Sequence, residues 1–258
     1  MSSQIPFILA STPHGMMIVN RVDVNSYEDG GKFGVGFELL ENGSFANNEL
    51  DVIKQVLLLR QQYFGNGVVA IDGGANIGVH TLEYGRLMKG WGRVLSYEVQ
   101  EPVYYSLCGN VIMNNLHNVK CNHIALGDYD GFIDVPYLDY TQNASFGSLE
   151  LLSHDNKDLG QNMDSGTYKV PIITIDSLQL ERLDFVKLDI EGMELLVLNG
   201  MKNTIKRHKP VLFIEVIKAD QRLIDFLREY NYDFAPVGIN FVCIHKLDPL
   251  HKHMMRSE

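Results

Sequence analysis

This 258-residue sequence predicts an α/β fold on a mostly parallel sheet, and three observations carry the prediction. From Val68 onward, short apolar runs alternate with helix-like stretches, the pattern of a parallel sheet covered by helices on both faces. The run "VVAID" ends on an acid and passes straight into "GGANIG", a glycine cluster between strand and helix. Near the far end, "YDFAPVGINFVCIHK" holds two strand-like runs joined by Gly238-Ile239-Asn240. That link is too short for a crossover helix, so the two runs should pair antiparallel at the sheet edge.

Taken in order, residues 1–66 read as an extension packed on the core and helping to form a substrate site. "GMMIVNRVDV" is a strand and "DGGKFGVGF" a glycine-punctuated turn and strand. "NNELDVIKQVLLLRQQYF" is a helix, with Leu50, Ile53, Val56, Leu57 and Leu58 on its apolar face and Asn47 or Asn48 as its cap. The main domain, 67–258, begins with strand "VVAID" and a helix over about 79–88, then strand "GRVLSYE" and a helix over about 102–115. Strands "VKCNHIAL", "DFVKLDI" and "PVLFIEV" follow, the last two separated by the helix "MELLVLNGMKNTIKRH". "ADQRLIDFLREYN" supplies a final helix before the edge pair, and "HKHMMRSE" reads as a frayed tail. Only 137–169 breaks the alternation. Polar and rich in Asn, Asp, Ser and Gly, this insertion reads as a substrate-facing lid, with a disordered loop as the alternative.

The charge balance, 22 Lys+Arg against 32 Asp+Glu for a net of −10, disfavours a nucleic-acid or anionic-membrane footprint and favours a small neutral or polar substrate. No apolar run approaches the ~20 residues of a membrane span. The first ten residues have no basic residue ahead of their apolar letters, as a secretory signal would. Cys108, Cys121 and Cys243 have no pair spacing and read as reduced thiols of a cytoplasmic protein. The oligomeric state is not legible.

The glycine turn is the informative motif. Gly73, Gly74 and Gly78 permit a tight turn and close ligand approach, and the helix beyond offers free amides to an anion. A dinucleotide fingerprint needs a glycine where Ala75 stands, and Asp72 would repel a pyrophosphate by several kcal/mol. A nicotinamide-dependent dehydrogenase is therefore the weaker reading. S-adenosylmethionine suits both features: its amino group can meet Asp72 while its carboxylate meets the helix amides and Thr81. A turn with a merely capping aspartate is the plain alternative. Glu98 ends the next strand where an acid accepts ribose hydroxyls. Ala75, Asn76 and Val99 complete the expected rim, and Ala125 and Leu126 form the expected adenine wall.

"IDGGANIG", the "YE" strand end, "IALGD", "ITIDSL", "FVKLDIEGMELLVLNG" and "PVLFIE" together resemble the FkbM family of S-adenosylmethionine-dependent methyltransferases over roughly 68–216. The resemblance implies the class I methyltransferase, Rossmann-like fold, a seven-stranded sheet whose last strand is antiparallel. It also implies that 67–258 is the cofactor-binding catalytic domain. One departure is "EVQEP", where the family tends to place proline directly after the acid.

Ligands of an open parallel sheet bind outside the carboxyl ends of its strands, which brings in Lys187, Asp189, Glu191 and Glu215. O-methylation of a hydroxyl on a sugar or other small molecule needs an aligned acceptor and a base. Asp189 is the first candidate base and Glu191 the second, with Lys187 neutralising the acids. The same carboxylates could hold Mg²⁺ or Ca²⁺. A non-catalytic methyltransferase-like binding module is the remaining alternative. Glu194 reads as a first-turn acid and Asp176 as the cap of the stretch that follows it. His80 reads as packed or exposed rather than catalytic, and Trp91 as a turn residue. No grouping of the nine histidines, His117, His123 and His245 among them, resembles a zinc site.

Overall fold

A computed structural model describes residues 5–153, 156, 158–163, 165–216 and 220–254. The start of the last expected helix at Ala219 and the tail beyond Met254 lie outside them. The extension opens with a hairpin the sequence reading half missed: β1 (Phe7–Thr12) pairs antiparallel with β2 (Gly15–Asn20). The expected strand in "DGGKFGVGF" shrinks to a two-residue ladder of β3 (Asn25–Ser26) on β4 (Lys32–Phe33). Its end is helical instead, as α1 (Val35–Phe37), where Gly36 packs so closely on Asn20 and Asp23 that a side chain would not fit. A π-helical turn over Glu38–Asn42 leads to α2 (Asn47–Phe64), which has the expected extent. Its cap does not: Ala46, in a left-handed conformation, precedes the helix, and no side chain caps it.

The sheet begins with β5 (Val68–Gly73), α3 (Val79–Leu87), β6 (Gly92–Tyr97), α4 (Glu101–Met113) and β7 (Val119–Asn122). "VKCNHIAL" is not one strand. The chain leaves the sheet at His123, whose ring stacks on Tyr104 and hydrogen-bonds Val99 O at 2.9 Å. Ala125 and Leu126 become β8 (Ala125–Leu126) in a second sheet with β9 (Gly131–Pro136) and β10 (Thr167–Ile173). β11 (Phe185–Leu188) returns to the main sheet. The helix expected over 193–208 breaks into α5 (Glu194–Asn199) and α6 (Lys202–His208), since a side chain at Gly200 would stand 2.0 Å from the Gly127 carbonyl. β12 (Val211–Glu215), α7 (Gln221–Glu229), β13 (Tyr232–Val237), β14 (Asn240–His245) and α8 (His251–Met254) complete the chain. Residues 251–254 of the expected frayed tail are helical, and His251 hydrogen-bonds Asp233 at 2.7 Å.

The seven strands lie in the order β13-β14-β12-β11-β5-β6-β7, with β14 inserted antiparallel between β12 and β13. This is the class I methyltransferase sheet. Alternate strand residues feed two cores. Ala70, Val94 and Phe213 pack with α2, α3 and α4 and with Met17 and Val19 of the extension. Ile71, Val186 and Ile214 pack beneath α5, α6 and α7. The insertion has its own small core, in which Ala144, Phe146, Leu149 and Leu159 cover Ile133, Val135 and Val170. No helix among the described residues is long and apolar enough to cross a membrane. Cys108 and Cys121, far apart in sequence, come together between α4 and β7, and burial and their mutual proximity push the Cys121 thiol up to about 12.

Candidate active site

At the carboxyl ends of β5, β6, β11 and β12 lies a cavity of about 570 Å³, within the range of small-molecule sites. Gly74, Ala75 and Asn76 form part of its wall, as do Glu98, Val99, Ala125 and Leu126. Tyr97 and Ile124, not singled out from sequence, extend the apolar surface at this end. Glu98 is buried, and each of its carboxylate oxygens accepts one backbone N–H, from Asn76 at 2.9 Å and Gln100 at 2.8 Å. Burial pushes its pKa up to about 7 against those donors. Each oxygen keeps accepting capacity for a further donor.

Asp72, Gly73, Gly78 and Thr81 stand behind that wall, not in it. Asp72 is fully buried; its Oδ2 accepts from Thr81 Oγ1 at 2.6 Å, and Thr81 shares a second hydrogen bond with Ser96 at 2.7 Å. Asp72 and Thr81 thus bond to each other behind the residues that line the cavity. Oδ1 of Asp72 has no partner among the described residues, and the Lys187 ammonium interacts with it electrostatically. Two of the glycines have the positive φ expected of the tight turn, and they also pack closely on protein. A Cβ on Gly74 would stand 1.7 Å from the Asp189 carbonyl, and one on Gly78 2.6 Å from Leu107. Both residues have positive φ, so these positions serve close packing of protein on protein as much as ligand approach.

The four expected polar residues do converge. Lys187, nearly inaccessible, donates to Asp189 Oδ2 at 2.7 Å. Burial would lower the lysine pKa, but Asp189 and Asp72 raise it above its ordinary value. Asp189 is raised by burial and lowered by Lys187, and the net shift is downward. Oxygens of Asp189, Glu191 and Glu215 lie within 4.8 Å of one another. Burial and the neighbouring Asp189 push Glu191 up to about 8 and Glu215 up to about 10. Glu191 also sits at φ 49°, a left-handed conformation uncommon for a glutamate. Glu194 Oε1 accepts from the backbone N–H groups of Ile190 and Gly192, fixing this loop. Asp176 is a cap of a different helix from the one expected: it accepts from Asn203 and Thr204 at the start of α6.

The far end of the cavity is closed by the extension and the insertion: Val35, Phe45 and Glu49 from one, Ser145, Gly147 and Leu149 from the other. His80 faces this end, buried and 3.6 Å from Glu49.

Residues 72–234 match the Methyltransferase FkbM domain, which spans the sheet ends just described. The chain belongs to the FkbM methyltransferase family. Among solved structures, an FkbM methyltransferase from Methylobacillus flagellatus KT shares 20% identity at a TM-score of 0.47, over 70% of this chain and 43% of that one. An O-methyltransferase from Bacillus cereus, solved with S-adenosylhomocysteine, shares 16% identity at a TM-score of 0.42, over 79% and 83%. The family assignment rests on the domain match. No curated protein matches this chain.

Proposed function

We propose that this FkbM-family chain uses S-adenosylmethionine to methylate a hydroxyl group of a sugar or other small molecule. The observation that supports the reading is the meeting, in one cavity, of Glu98 and the Ala125–Leu126 wall with a carboxylate cluster of mixed protonation. Bound there, the cofactor supplies a methyl group already activated on a sulfonium. Glu98 would hold the ribose hydroxyls and Ala125 and Leu126 the adenine face, while the N–H groups of Gly74 and Ala75 donate to Tyr97 O and that of Asn76 to Glu98, which fixes the turn beside them. Asp72 supports this assignment one layer down, where its Oδ2 accepts from Thr81 and so holds the first turn of α3.

Of the candidate bases the geometry favours Glu191. Asp189 is committed to Lys187 and kept ionised, which makes it a weak proton acceptor. Glu191, raised to about 8, matches a hydroxyl better. The three carboxylates have the donors Mg²⁺ or Ca²⁺ prefers, but the Lys187 ammonium already stands on Asp189, so we favour transfer without a metal. Calorimetry with S-adenosylmethionine and S-adenosylhomocysteine tests the reading: both should bind, and binding of neither would end it.

A further inference from the structure

The acceptor end of the cavity is lopsided in charge. Its wall carries Glu38 and Glu49, beside Glu191 and Glu215, while Lys187 is the one lysine or arginine among the described lining residues and is taken by Asp189. Glu38 accepts from Asn42, and Glu49 accepts from Asn240 at 2.8 Å; both donors are neutral amides that leave the charge uncancelled. A separate feature marks the same wall. His80 is 5% exposed, its Nε2 is buried without a hydrogen-bond partner, and that nitrogen lies 3.6 Å from Glu49 Oε2. The first turn of α3 and an edge contact with Phe45 hold the ring in place.

We propose that the methyl acceptor is a cation: a small amine that also bears the hydroxyl to be methylated, its ammonium group held between Glu49 and His80 with Glu38 on the same wall. The inference rests on the methyltransferase reading and adds the acceptor's charge to it. An ammonium offers three donors and no acceptor. Glu49 Oε2, and Nε2 of an imidazole that carries its proton on Nδ1, are both acceptors. A phosphorylated sugar or a hydroxy acid would meet uncompensated repulsion in a cavity of low dielectric. A neutral polyol would leave Glu38 and Glu49 without a counter-charge.

The test uses the full chain, S-adenosylmethionine labelled in its methyl group, and a small-molecule extract of the source cells divided on cation- and anion-exchange resins at pH 7. Label should pass only into compounds that the cation exchanger retains. Glu49→Gln should lower that transfer about tenfold at limiting extract and leave S-adenosylhomocysteine affinity unchanged. Native mass spectrometry of the protein loaded with S-adenosylhomocysteine should show a compound from the retained fraction bound to the parent chain and lost from the Glu49→Gln variant. Transfer into the unretained or anionic fractions, or into no fraction by a protein that does bind S-adenosylhomocysteine, would overturn the proposal. A protein that binds neither cofactor form would overturn the methyltransferase reading itself, and this inference with it.

Discussion

The two ends of the cavity are built from different kinds of sequence. The cofactor end comes from one stretch, β5 through β8, in which the glycine turn bonds the end of the very next strand at Tyr97 and Glu98. The acceptor end joins the extension to the insertion, more than a hundred residues later, and a single buried carboxylate does much of the joining. Asp23 accepts from the backbone of Gly36 at 2.9 Å and of Phe146 at 3.1 Å, and Asp23 and Ala144 form a bridge. Local turns leave a signature in sequence; a clip between distant loops does not.

The largest effect should come from the one residue that belongs to both ends. Gly74→Ala forces a side chain onto a positive φ and against the Asp189 carbonyl. It should cost about 3 kcal/mol or more and remove both S-adenosylhomocysteine binding and transfer. Thermal unfolding and calorimetry check this; a stable variant that still binds would mean that the two loops are not interlocked.

Next is Glu191→Gln, expected to lower transfer by about 10² to 10⁴ with cofactor affinity preserved. In the parent protein transfer should rise with pH through about 8, because the base must lose its proton first. Stability runs the other way. With a folded pKa raised above its ordinary 4.5, Glu191 contributes stability that is complete below that value and lost as pH rises through about 8. The variant should lose that share of the slope, while Glu215 keeps its own towards about 10. An unchanged rate in Glu191→Gln would move the base elsewhere.

Smaller again, Asp23→Ala leaves two buried N–H groups unsatisfied, at a cost of about 2–3 kcal/mol. The expected result is faster hydrogen exchange and easier proteolysis across residues 137–166, with S-adenosylhomocysteine affinity within about twofold of the parent. Equal loss at both ends would erase the distinction between them.

What the sequence showed follows the same division. "VVAIDGGANIG", the edge pair and α2 were legible because their signals, apolar runs and turn glycines, act within a dozen residues. The convergence of Lys187, Asp189, Glu191 and Glu215 was legible because strand ends of a parallel sheet share one edge. Asp23 and Glu49 were not, since each is an ordinary acid until the fold brings Phe146 or His80 to it. The break in "VKCNHIAL" was hidden for a related reason: Ala125 and Leu126 pair with Ile172 and Ile173, nearly fifty residues on. His80 is packed, one of the two placements read from its sequence, but sequence does not tell that its Nε2 is buried without a hydrogen bond.

The smallest expected effect decides how Asp72 works at the cofactor end. If Asp72 held a ligand directly, its partners in the protein would matter little to binding. The structure has it one layer back, acting through Thr81 and Ser96, with Lys187 as its electrostatic counterweight. Thr81→Val keeps the shape of the side chain and removes one donor from a buried carboxylate, which should cost about 1–2 kcal/mol of stability. Because the turn then loses only an orienting bond, S-adenosylhomocysteine affinity should fall about two- to fivefold, and Thr81→Ser, which restores the hydroxyl, should recover most of it. Full affinity in Thr81→Val, with stability lowered as expected, would confine the Asp72–Thr81 pair to folding and leave the cofactor end to Glu98 and the glycine turn alone.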